Sequence, residues 1–172
     1  MKKTINAFDY AGDICKAMKK GILLTTKAGD KVNTMTIGWG MLGIEWGKPI
    51  FIAFVRESRF TKQMLEENGE FTVNIPYGEM DAKILGFCGT KSGRDMDKIA
   101  EMNLTLEEPL SISVPGIREL PLTLECRVVY KQDQVLSALQ DDLCDRYYDK
   151  TDSADYHTAY YAEIVSAYII ED

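Results

Sequence analysis

The chain has 172 residues, with 20 Lys+Arg against 27 Asp+Glu, one His and four Cys. The length suits a single domain over residues 1–172, and 45% hydrophobic with 27% charged residues is the composition of a folded protein, not a disordered one. A net charge of −7 argues against nucleic-acid binding, which needs surplus Lys and Arg, and one histidine leaves little room for a His-rich metal site.

The opening MKKTINAFDYAGD begins with lysines, but Asn6 and Asp9 interrupt any apolar stretch of the signal-peptide kind. The longest apolar run, Ile50 to Val55, is six residues, far short of a membrane span. Cys15, Cys88, Cys126 and Cys144 lie far apart with no C-x-x-C pair, so neither a zinc ribbon nor a thioredoxin-like motif is present. The expectation is a cytoplasmic protein with reduced thiols and no membrane partner.

Residues 8–20 place Phe8, Ala11, Ile14, Cys15 and Met18 at spacings of three and four, which predicts an amphipathic helix stopped by Gly21. Residues 22–26 read as a strand and 28–31 as a turn. Residues 32–46 are strand-like but carry three glycines, which mark bulges or close backbone approach. Gly47-Lys48-Pro49 reads as a turn, and Ile50 to Val55 as a strand apolar on both faces, hence central.

Residues 59–68 form a short helix with Ser58 at the N-cap and Gly69 after its end. Residues 70–75 alternate, with Phe71, Val73 and Ile75 on one face. Two short helices, 79–88 and 95–102, flank the loop GTKSGR. Residues 120–130 make the clearest strand. Residues 135–147 read as a helix with Asp141, Asp142 and Asp145 on a solvated face, and 158–170 as a last strand. About six strands joined by short turns, with no βαβα alternation and no G-x-G-x-x-G, argue against a Rossmann fold. They predict a mainly β (α+β) protein, an antiparallel barrel with peripheral helices.

Four places can carry chemistry. In Arg56-Glu57-Ser58-Arg59-Phe60-Thr61-Lys62 a strand ends and a helix begins. Free amides at a helix start, two hydroxyls and forked guanidinium donors suit a phosphate; a plain capped helix with solvated cations fits the same residues. In Asn33 to Gly43, hydroxyls, small residues and Trp39 suit close contact with a flat polar ring, and equally a bulged strand with a core tryptophan. In the loop after Cys88, Ser92 and Asp95 look like a capping pair, while Arg94 and Lys98 can reach an anion. Cys88 itself reads as a small buried residue. His157 is either structural or lines a site.

Taken in order, NTMTIGWGMLG, WGKP with an apolar strand, VRESRFT, GEFTVNIP, CGTKSGRDMDK, LPLTLECRVV and a closing His-containing strand resemble the flavin reductase-like family, nearest its flavoredoxin-like subgroup. The resemblance covers roughly residues 10–170. It implies an FMN-binding split β-barrel. Arg56, Ser58, Arg59 and Thr61 would hold the FMN phosphate. Asn33, Thr34, Met35, Thr36, Ile37 and Trp39 would face the isoalloxazine ring, largely through backbone groups. Ser92 and Lys98 would approach the flavin. Lys98 and His157 are the candidates for a catalytic or tuning role, and no metal is called for. The resemblance also implies a homodimer with the flavin near the interface. The implied activity is oxidoreduction, from NADH or NADPH through FMN to flavin, ferric iron or a partner protein. The alternative is a non-enzymatic FMN-binding electron carrier.

Overall fold

Ten strands and five α-helices follow one another in a computed structural model that describes residues 1–148 and 155–171. They are β1 (Lys2–Thr4), α1 (Ala11–Lys20), β2 (Ile22–Ala28), β3 (Lys31–Ile37), β4 (Gly40–Glu45), β5 (Lys48–Arg56), α2 (Phe60–Glu67), β6 (Glu70–Ile75), α3 (Lys83–Thr90), α4 (Lys98–Glu101), β7 (Leu106–Glu107), β8 (Gly116–Ile117), β9 (Leu122–Asp133), α5 (Asp141–Tyr147) and β10 (His157–Ile170).

Eight strands share one sheet in the order β3-β2-β6-β9-β10-β5-β4, with β1 on β10 and every pairing antiparallel. β10 organises it. Its first half pairs with β5, its last residues with β1, and its whole length with β9. Met35 and Ile37 near one end of this path belong to the same buried cluster as Phe51, Ala53 and Val55 near the other. Strands so far apart in the order share one core only if the sheet curls around it, as in a barrel. No pairing joins β3 to β4, so the barrel is split there. α1 packs on β4, with Ile14 and Met18 in the core. A Cβ on Gly40 would lie 3.0 Å from Met18 Sδ and 3.0 Å from the Phe51 ring, so this glycine serves close approach.

A second, smaller cluster gathers Leu23, Ile84, Cys88, Leu104, Ile117 and Leu120 between the sheet and the helical insertion. The segment around Pro115 and β8 folds over β6, which explains why β6 does not alternate. Thr72 and Asn74 are as buried as Phe71 and Val73, and they join Thr25, Thr34 and Thr123 in a hydrogen-bonded polar layer.

Several expectations are corrected. Phe8 and Cys15 are exposed: Phe8 lies in a 3-10 turn over Ala7–Tyr10 before α1, and Cys15 lies off the face of α1 that buries Ile14 and Met18. The hairpin turn lies at Trp46-Gly47, both with positive φ (52° and 69°), and Pro49 sits inside β5. The stretch 135–147 breaks into a 3-10 turn at Leu136–Ala138 and the shorter α5. The sheet holds eight strands, not six. Among the described residues no helix is long and apolar enough to cross a membrane, and no cluster of His, Cys, Asp and Glu could hold a metal.

Candidate functional site

β3 is the end strand of the sheet: β2 pairs with one edge along its whole length, and no described strand pairs with the other. The open edge faces the helical insertion, where α3 and α4 pack against β3. Between them lies a cavity of about 180 Å³. Its lining runs from Asn33, Met35 and Thr36 on β3, through Ser58, Arg59, Phe60 and Thr61 at the start of α2, to residues 88–94 and Lys98.

The start of α2 is uncapped by any side chain. The N-cap position is Arg59, not Ser58, and α2 ends at Glu67. Ser58 instead gives its backbone N–H to Asp155 Oδ1 at 3.1 Å, across a long sequence separation. The first amides of α2 therefore keep their donors and partial positive charge. Asn33 Nδ2 donates to Thr61 Oγ1 at 3.2 Å and fixes that hydroxyl. Asn33 Oδ1 is buried with no partner, an acceptor left open in a residue 3% exposed.

Four cations line this cavity, Arg59, Lys91, Arg94 and Lys98, and Lys31 stands beside it through its bond to Gly93 O. None has an ion-pair partner among the described residues. Lys98 is 4% exposed, and its Nζ donates to Cys88 O and Lys91 O, each at 3.2 Å. Burial holds its ammonium below the usual lysine pKa, with Arg59 pushing the same way and Cys88 opposing. A buried cation held only by carbonyls is a costly arrangement unless an anion completes it.

A second cavity, about 190 Å³, adjoins the first through Met35, Thr36 and Arg59. Ile37, Gly38, Trp39, Phe54, Arg56 and His157 complete its lining. Trp39 is not a core tryptophan: it is 43% exposed, and its ring lies 5.0 Å from His157 and 5.2 Å from Tyr147. His157 is buried, and its Nδ1 shares a 2.7 Å hydrogen bond with the Tyr148 hydroxyl. Burial pushes its imidazole down to about 4, with Arg56 and Arg59 pushing the same way and Asp155 opposing. At neutral pH it is an uncharged ring on the cavity wall.

The residues singled out from sequence thus converge, with four corrections. Arg56 lines the second cavity, not the first, and its guanidinium already serves Asp155 O at 3.1 Å and Tyr147 O at 2.8 Å. Thr34 lines neither cavity; its hydroxyl is buried in the polar layer of the barrel. Ser92 does line the first cavity, but it does not cap α4. Its Oγ accepts the Arg94 N–H at 3.2 Å, and Asp97 caps α4 through the amides of Ile99 and Ala100. Lys62, expected in the basic cluster, sits among Glu57, Glu66 and Asp133.

The sequence reading missed Lys31, Phe60 and Gly93. Lys31 Nζ donates to Gly93 O at 2.8 Å and lies 4.6 Å from the Phe60 ring centre. A Cβ on Gly93 would fall 2.1 Å from Asn33 Oδ1. The glycine between Ser92 and Arg94 was the one available signal for such a close approach.

The fold is a split antiparallel barrel with a cation-lined cavity along an open strand edge, whose charge and shape suit a phosphate-bearing planar ligand. The family described as "Flavin reductase like domain" matches residues 17–172, and the chain belongs to it. Flavoredoxin from Methanosarcina acetivorans is similar in structure, with a TM-score of 0.67 and 28% identity over 88% of this chain and 68% of that one. Flavoredoxin of Desulfovibrio vulgaris shares the fold, with a TM-score of 0.66 at 21% identity over 88% of this chain and 69% of that one. An uncharacterized protein of Archaeoglobus fulgidus is 35% identical over 100 residues, 58% of this chain and 55% of its own length. The chain spans 55% and 62% of two such curated relatives.

Proposed function

We propose that the protein binds FMN in the two adjoining cavities and works as a flavin-dependent oxidoreductase. Reducing equivalents would come from NADH or NADPH and pass to flavin, ferric iron or a partner protein. The observation that carries this reading is the set of four cations without carboxylate partners around one cavity, in a chain of net charge −7. An acidic protein keeps such a cluster unpaired where a dianion binds.

The residues fit FMN in kind. Arg59, Thr61 and the free amides of α2 suit its phosphate. The orphaned Asn33 Oδ1 is an acceptor for a hydroxyl-bearing chain. The open edge of β3 supplies backbone donors and acceptors for a polar ring. Bound FMN supplies electron transfer between donors and acceptors of different kinds, which leaves the chain to bind, orient and tune. Lys98 places a desolvated positive charge at the site, which favours an anionic ligand form. His157 and Trp39 wall the second cavity.

Likeness to a flavoredoxin at 28% identity favours one second reading, an electron carrier that holds FMN but turns over no nicotinamide. The four free cysteines suit a reducing compartment such as the cytoplasm. The exposed apolar edge around β4 suits a homodimer.

Titration with FMN tests the binding. Arg59→Ala and Thr61→Ala should each weaken it about tenfold or more, the effect of losing a contact of about 1.5–3 kcal/mol. Unchanged affinity in both would place the phosphate elsewhere. Steady-state oxidation of NADH and NADPH, with and without added flavin, then separates the enzyme from the carrier.

A further inference from the structure

Three residues meet where the first cavity reaches the start of α2, and their contacts bridge the loop after α3 to that start and to β3. Arg94 Nη1 donates to Ser58 O at 3.0 Å, which ties the loop after α3 to the residue before the N-cap of α2. Lys31 Nζ donates to Gly93 O at 2.8 Å, which ties the same loop to the start of β3. The two cations meet over one ring: Lys31 Nζ lies 4.6 Å and the Arg94 guanidinium 5.4 Å from the Phe60 centre. Such contacts strengthen when water is excluded. Phe60 is the first residue of α2, so the ring stands directly at the amides that receive a phosphate.

A flavin mononucleotide ends at its phosphate. A dinucleotide continues through a second phosphate to an adenosine, and needs an exit at that end. The terminal phosphate of a mononucleotide also carries more negative charge than each phosphate of a diester chain. An end bridged by these contacts and a cavity lined by cations without ion-pair partners therefore favour the same ligand.

We propose that Arg94, Lys31 and Phe60 form a bolt that selects a flavin whose chain ends at its phosphate, and rejects FAD. The inference rests on the flavin-binding reading above, and adds the residues that set its specificity. Lys31 and Arg94 hold the loop against α2. Phe60 is the apolar plate that keeps both cations over the same spot.

Equilibrium titration of the whole chain with FMN and with FAD, followed by flavin fluorescence, tests it. The wild-type protein should bind FMN at least about tenfold more tightly than FAD. Phe60→Ala should narrow that ratio about fivefold or more, although it removes no charge and no hydrogen bond. Arg94→Ala should narrow it as well, because it frees Ser58 O. Equal binding of FMN and FAD by the wild type would overturn the bolt and leave the FMN reading standing. Binding of neither flavin would overturn both. A loss of FMN affinity in Arg94→Ala, with an unchanged FMN-to-FAD ratio in Phe60→Ala, would make Arg94 a phosphate ligand only and overturn the selector.

Discussion

Gly93 and Asn33 define the site at the scale of single residues. A methyl group at Gly93 would lie 2.1 Å from Asn33 Oδ1 and 3.0 Å from the Phe60 ring, so Gly93→Ala must displace one or both. Overpacking of this kind costs about 1–3 kcal/mol. Adding Asn33→Ala removes the worst clash. The double variant should recover most of the urea midpoint while FMN affinity stays low, since the open acceptor is gone. Recovery of both would show that Asn33 only fills space. His157 gives a second test at this scale. In the unfolded chain it takes a proton below about 6.5, but in the folded protein only near 4. Between those values the unfolded state binds more protons, so stability must fall as the pH falls through this window, by up to about 3 kcal/mol. Urea midpoints measured from pH 7.5 to 4.5 should show that decline in the wild type and a shallower one in His157→Gln. Identical slopes would mean that other groups carry the acid sensitivity.

Among the elements, the start of α2 shows what a sequence can and cannot disclose. A Ser before a helical run reads as a cap because local patterns favour it. The structure leaves the helix uncapped and gives the Ser58 N–H to Asp155, 97 positions away, whose carboxylate also faces Arg56 at 3.5 Å. Burial pushes that carboxyl up, but Ser58, Arg56 and Arg59 outweigh it and hold the Asp155 pKa below its usual value. Asp155→Ala should therefore lower stability by about 1 kcal/mol, whereas Ser58→Ala should change it by less than about 0.5 kcal/mol. Thermal melts of the two variants settle the ranking, and an equal loss would restore Ser58 as the cap. Local signals were legible: the Gly21 stop, the turn after Ala28, the existence of β9, although Thr123 and Glu125 on its expected outer face are buried. Each depends on neighbours in the chain. The burial of Thr72 and Asn74 was not, because it depends on the segment around Pro115 and β8 folding over β6 from elsewhere. The site divides in the same way. Ser58, Arg59 and Thr61 stood together in sequence, but Lys31 meets Gly93 across 62 positions, and nothing local announces that meeting.

The whole molecule carries its charge and its apolar surface in different places. The net charge is −7, the cations without ion-pair partners cluster in one cleft, and several exposed apolar side chains stand along β4 and its turn. Among the described residues β4 pairs only with β5, which leaves its other edge without a described partner strand. Open edges are ordinarily guarded by charges, prolines or a covering element. Here Met41 is 57%, Ile44 73% and Trp46 56% exposed along β4 and its turn, and Trp46 lies 6.2 Å from both Tyr130 and Tyr161. A second copy of the chain is the cover we propose, because an edge strand offers the same backbone donors and acceptors to its own twin. Trp39 lies two residues before Met41 and walls the second cavity, so the same edge runs into the flavin site. Sedimentation velocity should show a dimer, and Ile44→Lys should shift it toward monomer without changing the far-ultraviolet circular dichroism. If the partner completes the site, FMN affinity should fall with the dimer, and raising the protein concentration should restore both together. A variant that becomes monomeric yet binds FMN as tightly as the wild type would show that each subunit holds its flavin alone.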